Sequence, residues 1–310
     1  MYLRVAYARA VSVLGRAALW ARRLPPSRTT VRAGRALTAA VTRLGATAVC
    51  TTRMADGTLL ELDARSRTEA GPLWTGTYEA DYQRLLAALV DRFGRVAYDV
   101  GANVGLIAVP LARHIGADGH VSCFEPVPEN AARLRRNLAL NGVANCAVHE
   151  VALGATAGDL QIAREVHNRS TSGNAVLLSG DGPRLAGYDA VCTVPVRPLD
   201  DVVAERSLPL PNVIKLDVEG SEVGFLRGAA ATLAAARPVV LGEFNNRLMP
   251  RFGTTFLDAA AALPPDYAVF SFLDATAVEE RTPVPGLGDV LLAPRERIAD
   301  LPVQVRQSRG

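Results

Sequence analysis

Val96-Ala97-Tyr98-Asp99-Val100-Gly101-Ala102-Asn103-Val104-Gly105 opens the stretch that decides the fold, and Val121-Ser122-Cys123-Phe124-Glu125-Pro126 closes it. A short apolar run ends in Asp99 and turns through two glycines into an apolar helical run. A second apolar run ends in another acid, Glu125. This is a strand–loop–helix–strand unit, with a nucleotide-sized ligand expected at the strand tips. Gly101 and Gly105 allow a tight turn and a close approach of backbone to ligand. Glu125 stands where an acid accepts hydrogen bonds from ribose hydroxyls.

Two ligand classes use this layout. Dinucleotide enzymes carry G-x-G-x-x-G, so that a pyrophosphate sits on a helix N-terminus. Here Asn103 replaces the middle glycine, and the spacing is Gly101-x-x-x-Gly105. Asp99 ahead of the turn repels a pyrophosphate but suits a cationic ligand. S-adenosylmethionine, with its ammonium, sulfonium and ribose, matches that pattern. A nicotinamide-dependent oxidoreductase is the alternative, and a non-catalytic S-adenosylmethionine-binding interaction protein is another.

The 310 residues suffice for a large core, and 49% apolar content with few aromatics suits an α/β protein. The net charge of +3 hides an asymmetry. Residues 1–55 hold ten arginines and no acid, which leaves 24 basic and 31 acidic residues, a net of −7, in the rest. An acidic body argues against a nucleic-acid partner. Lys215 is the sole lysine among 34 basic residues, in a composition that suggests GC-rich coding bias. A lysine retained under that bias invites a functional reading.

Cys50, Cys123, Cys146 and Cys192 show no C-x-x-C spacing, so free thiols in a reducing cytoplasm are expected and a metal site is not. Arginines interrupt the apolar N-terminal run, which never approaches the roughly 20 residues of a membrane helix. No cleavage site follows an apolar core, so no secretory signal is expected. The basic N-terminus reads either as a solvated or self-docked helix, or as a weak contact for an anionic membrane surface.

Along the chain, residues 1–24 and 31–45 read as helices. Strands at 46–52 and 58–63 meet at Asp56-Gly57, a hairpin signal. Helices are expected at 80–92, 104–115, 128–140, 222–235 and 254–263. Strands are expected at 95–100, 120–125, 145–152, 159–163, 175–178, 213–219, 238–244, 267–273 and 288–293. The segment Leu73 to Glu79 is placed to cover the methionine end of the donor. The polar stretch 165–174, with His167 and Asn168, reads either as a site loop or as a surface hairpin. The tail from Arg295 reads as loosely ordered. Strand alternation puts Lys215, Asp217 and Glu219 on one side, at a strand tip where doubly wound sheets bind ligands. Glu243 closes the next strand.

Taken in order, Asp99 to Gly105, Phe124-Glu125-Pro126-Val127-Pro128, Asn137, Leu140-Asn141, Ala152-Leu153-Gly154, Lys215 to Glu222 and Glu243 resemble the FkbM family of S-adenosylmethionine-dependent methyltransferases. Gly76-Thr77-Tyr78-Glu79 is similar to the segment that leads into that domain. The resemblance covers roughly residues 70–294. It implies an α/β class I methyltransferase fold: a Rossmann-like, doubly wound, seven-stranded, mostly parallel sheet with helices on both faces and the last strand antiparallel. It divides the chain into a basic extension (1–69), the methyltransferase domain (70–294) and a tail (295–310). It implies methyl transfer to a hydroxyl oxygen of a natural product, sugar or glycan.

On this reading Asp99, Gly101, Asn103, Gly105, Glu125, Pro126 and Ala152 hold the cofactor. Asp217, Lys215, Glu219 and Glu243 are the catalytic candidates, because an attacking hydroxyl needs a proton acceptor. His167 and Asn168 are candidates to touch a small-molecule or saccharide acceptor. Glu219, Glu222 and Glu243 form a carboxylate group suited to a divalent ion, but their spacing does not demand one.

Overall fold

The computed structural model describes residues 13–23, 28–43, 48–165, 175–178, 188–245, 247–281 and 288–306. Helices α1 (Val13–Ala21) and α2 (Arg28–Arg43) precede the hairpin of β1 (Val49–Arg53) and β2 (Leu59–Asp63). Helices α3 (Arg67–Thr75) and α4 (Ala80–Phe93) lead into β3 (Val96–Val100), α5 (Ala108–Ile115), β4 (His120–Phe124), α6 (Pro128–Leu140) and β5 (Cys146–His149). Next come β6 (Ala152–Leu153), β7 (Gly158–Glu165), β8 (Ala175–Leu178), β9 (Tyr188–Arg197) and α7 (Leu199–Arg206). The second half runs β10 (Val213–Leu216), α8 (Glu222–Gly228), α9 (Ala230–Ala236), β11 (Val239–Phe244), α10 (Phe256–Ala262), β12 (Tyr267–Asp274), β13 (Ala277–Arg281), β14 (Gly288–Pro294) and β15 (Gln304–Arg306).

The main sheet has the order β15-β13-β12-β14-β11-β10-β3-β4-β5. Strands β11, β10, β3, β4 and β5 are parallel, and β14 is antiparallel between β11 and β12. The seven strands from β5 to β12 are the sheet expected from the sequence. Two more, β13 and β15, extend its β12 edge. Continuous apolar strands such as Val213-Ile214-Lys215-Leu216 are buried on both faces, as parallel strands between helices must be. From β3 the chain winds outward through β4 and β5, and from β10 the other way through β11. The β3/β10 boundary is therefore the switch point where such sheets bind ligands.

The hairpin is fastened to the body by side chains from α6. Asn141 accepts the Leu59 N–H (2.9 Å) and donates to Leu59 O (2.7 Å). Asn137 accepts the Glu61 N–H (2.6 Å) and donates to Val104 O (2.8 Å). These amides pair the open edge of β2, which would otherwise be left unsatisfied. Beside them Arg133, 4% exposed, grips Glu69 of α3 through both carboxylate oxygens and donates to Glu61 O (3.1 Å).

Several expectations are corrected. Helix α3 was not foreseen, because Gly71 and Pro72 lie inside it; the Ser66 cap and the buried Leu73 and Trp74 hold it. The expected strand 145–152 is two strands, β5 and β6, in different sheets. The second sheet, β6-β9-β7-β8, includes β9, which the sequence did not suggest because Pro195 interrupts its apolar run. The expected helix 222–235 breaks at Ala229, and β10 ends at Leu216, short of Asp217. The described part of the tail is ordered: Arg295–Asp300 is a 3-10 helix, Glu296 pairs with Arg237, Asp300 pairs with Arg92, and β15 joins the sheet. Of the expected helix 1–24, Val13–Ala21 is seen, and residues 1–12 and 24–27 lie outside the described residues. No helix among the described residues is long and apolar enough to cross a membrane.

Removing one partner of a buried ion pair leaves the other unpaired. Arg133→Met should cost about 3–5 kcal/mol of stability, and adding Glu69→Leu should recover much of it. Urea unfolding of the single and double variants measures both quantities.

Candidate active site

The tips of β3, β4, β10 and β11 enclose a cleft lined by Gly101, Asn103, Glu125, Pro126, Ala152, Lys215, Asp217, Glu219 and Glu243. Nine of the thirteen residues expected at the site thus meet in one place. Asp99 lies beneath the cleft, fully buried, and Gly105 lies behind the loop, packed against Leu134. His167 and Asn168 lie outside the described residues.

Lys215 organises the floor. Its register partner across the sheet is Asp99, so the two side chains share a face. Nζ lies 3.1 Å from Asp99 Oδ1 and 3.7 Å from Asp217 Oδ2, and it donates to Gly101 O at 2.8 Å. Burial alone would lower the pKa of this lysine, but Asp99 and Asp217 outweigh it and hold the ammonium above its ordinary value. Burial pushes the Asp99 carboxyl up, and Lys215 opposes that shift.

The glycine loop is bent tightly. Gly101, Asn103 and Gly105 have φ of 78°, 50° and 90°, all in the left-handed region. At Gly101 the need for glycine is also steric: a Cβ there would meet Asp217 O at 1.8 Å. The sequence suggested room for a ligand; the structure adds that the tip of β10 occupies the space. The N–H groups of Gly101 and Ala102 both donate to Phe124 O.

Glu125, 5% exposed, is held from three sides. It accepts from Val127 N–H (2.9 Å), Asn103 N–H (2.8 Å) and the Asn130 amide (3.3 Å). Burial pushes its pKa up to about 7 against these bonds. A carboxylate has about four acceptor positions and three are taken here, so about one remains for a ligand hydroxyl.

The opposite end of the cleft is acidic. Glu79, Asp217, Glu219 and Glu243 line it. Burial and neighbouring carboxylates push Glu219 up to about 8 and Glu243 up to about 7. Glu79 and Glu219 have φ of 40° and 52°. Such conformations cost of order 1–3 kcal/mol each, and they cluster where function requires them. Glu219 lies on a turn, not on the strand, so turn geometry and not alternation brings it beside Asp217. Among the described residues, no group of three or more His, Cys, Asp or Glu side chains is arranged to hold a metal ion.

The Methyltransferase FkbM domain family matches residues 99–272, more than half of the chain and nearly all of the cleft. The chain belongs to the FkbM methyltransferase family. It is similar to the 2-O-methyltransferase NoeI of Sinorhizobium fredii, 26% identical over 193 residues, covering 59% of this chain and 76% of NoeI. It is also similar to the hexuronic acid methyltransferase AglP of Haloferax volcanii, 27% identical over 188 residues, covering 59% of this chain and 69% of AglP. Among solved structures, an FkbM methyltransferase from Methylobacillus flagellatus is 18% identical with a TM-score of 0.40, covering 73% of this chain; this chain spans 55% of that one.

The donor implied by an FkbM methyltransferase fits the residues present. Asn130 and Asn103 line the cleft, and the Oδ1 of each has no hydrogen-bond partner among the described residues, so both suit a ligand that donates. The Lys215 ammonium is tied to Asp99 and Gly101 O, which leaves the described lining of the cleft net negative. That suits a sulfonium and an ammonium, and it disfavours the pyrophosphate of a nicotinamide cofactor. The sequence reading did not single out Asn130 as a site residue. Its one signal was a place in the first turn of α6, where an amide faces back toward Glu125.

Four acids of the cleft region, Glu125, Glu219, Glu222 and Glu243, hold protons to about pH 7–8 when folded. An unfolded glutamate releases its proton near pH 4.3. Between these limits the native state binds more protons, so stability falls as pH rises. His149, lowered to about 4 by burial, acts in the opposite sense only below about pH 6.5. The melting temperature without donor should therefore fall between pH 6.5 and 8, and Glu222→Gln should flatten the slope.

Proposed function

We propose that this cleft transfers the methyl group of S-adenosylmethionine to a hydroxyl oxygen of a small-molecule or saccharide acceptor. The observation that carries the proposal is the acidic end of the cleft, where Asp217, Glu219 and Glu243 converge beside the glycine loop. The names of NoeI and AglP support oxygen as the receiving atom and a sugar-like acceptor.

When bound, S-adenosylmethionine supplies a methyl group already activated by its sulfonium. The chain then has to bind, orient and accept a proton. Glu125 accepts from a ribose hydroxyl. Gly101 and Asn103 border the methionine and ribose, and Pro126 and Ala152 wall the adenine. Gly105 shapes the turn from behind. Asp99 and Lys215 act as positioning residues: the ammonium is committed to Asp99 and Gly101 O, so it anchors the loop and Asp217. Asp217 is the first candidate to accept the hydroxyl proton, with Glu219 and Glu243 beside it.

On this reading residues 70–294 are the methyltransferase domain, 1–69 a basic extension and 295–310 a tail. The four free cysteines suit a cytoplasmic location, and the acidic composition beyond residue 55 argues against a nucleic-acid partner. On α1, Arg16 and Trp20 are exposed one turn apart, and Arg23 is exposed in the turn just after it, the chemistry of a weak contact with an anionic membrane surface.

Transfer of labelled methyl groups to hydroxylated sugars and natural products tests this reading. Asp217→Asn or Glu243→Gln should lower kcat by about 100-fold while S-adenosylhomocysteine affinity holds within a few-fold. A base must lose its proton before it can accept one, so the rate should climb with pH through about 7 to 8, the range of Glu243 and Glu219. A rate flat from pH 6 to 9, with full activity in variants of all three acids, would refute the assignment.

A further inference from the structure

A second cavity of about 300 Å³ adjoins the cleft, built mostly by chain that precedes the family match. It lies between the β1–β2 hairpin, α4 and α5. Met54, Leu60, Leu86, Leu106, Ile107 and Leu111 line it, and none is more than 8% exposed. Among the described residues that line it, Asp56, Arg84 and His114 are the titratable ones at its edge apart from Tyr78, and each is engaged. Arg84 pairs with Asp81, His114 Nε2 lies 3.0 Å from Asp91, and Asp56 accepts from Thr58 N–H (2.9 Å) and O–H (2.7 Å).

Tyr78, Leu106 and Ile107 line both the cavity and the cleft, so they form a thin partition. Gln83 staples it from α4, donating to Tyr78 O (2.7 Å) and Leu106 O (3.4 Å).

We propose that this cavity receives an uncharged aliphatic part of the acceptor, such as an alkyl chain or aglycone, while the acceptor hydroxyl lies beyond Tyr78 in the donor cleft. This rests on the methyltransferase reading of that cleft. Apolar walls favour a ligand that gains by leaving water. A phosphate there would lose hydration and meet no unpaired cation among the described lining residues, and a sugar would find few polar partners on these walls. The shared partition puts both compartments within reach of one molecule. The polar head faces the acids and the apolar portion faces the hairpin.

The test uses the full chain and N-phenyl-1-naphthylamine, an uncharged apolar dye. A saturable rise in fluorescence is expected. Octyl glucoside, kept below its micelle concentration, should displace the dye at least tenfold more effectively than methyl glucoside. Ala87→Trp fills the cavity and should weaken dye binding at least tenfold, with S-adenosylhomocysteine affinity within twofold of wild type. Ala87→Leu, a milder filling, should give an intermediate loss and covers the case in which tryptophan unfolds the chain. No saturable signal, equal displacement by the two glucosides, or unchanged dye affinity in the folded variants overturns the proposal. S-adenosylhomocysteine binding without dye binding removes the cavity assignment alone. Dye binding without S-adenosylhomocysteine binding removes the donor reading and with it the acceptor assignment.

Discussion

Lys215 donates to Gly101 O from the strand next door and sits 3.1 Å from Asp99, in a place almost closed to water. The rest of the site depends on this contact. It joins β3 and β10 where their connections diverge, and so fixes the mouth of the sheet. A buried ammonium without an acid would be costly, and so would Asp99 without the ammonium. Each is tolerable because of the other. Their pairing pulls the glycine loop against the tip of β10 so closely that no side chain fits at Gly101.

The same pairing determines the charge left over. With the cation committed downward, the cleft presents carboxylates to its ligand. Glu125 is buried and held rigidly by two backbone N–H groups and an amide. At the far end Glu79, Asp217, Glu219 and Glu243 repel one another, and two of the four stand in unfavourable backbone conformations. A cationic ligand relieves part of that repulsion. On the proposed reading, a sulfonium donor offsets part of that cost.

The central unit was legible because its signals are local. Strands β3 and β4 are apolar runs closed by acids, Pro128 opens α6, and Asn141-Gly142 ends it. The single lysine drew attention to Lys215. What could not be read depended on distant partners. Asn137 and Asn141 stood out as motif residues, yet their work appears only once the hairpin docks on α6. Helix α3 contradicts its own propensity at Gly71 and Pro72 and survives by burying Leu73 and Trp74. Glu219 left the expected strand at a turn that alternation cannot anticipate. Gly101 was given a ligand-facing reason, whereas Asp217 O supplies a steric one.

The most direct measurement is calorimetric titration of the purified chain with S-adenosylhomocysteine and, separately, with NADH, on the native protein and on Glu125→Ala. Binding of S-adenosylhomocysteine that weakens in Glu125→Ala, with no binding of NADH, is the predicted result. Tight NADH binding, or no S-adenosylhomocysteine binding by the folded native chain, would contradict it.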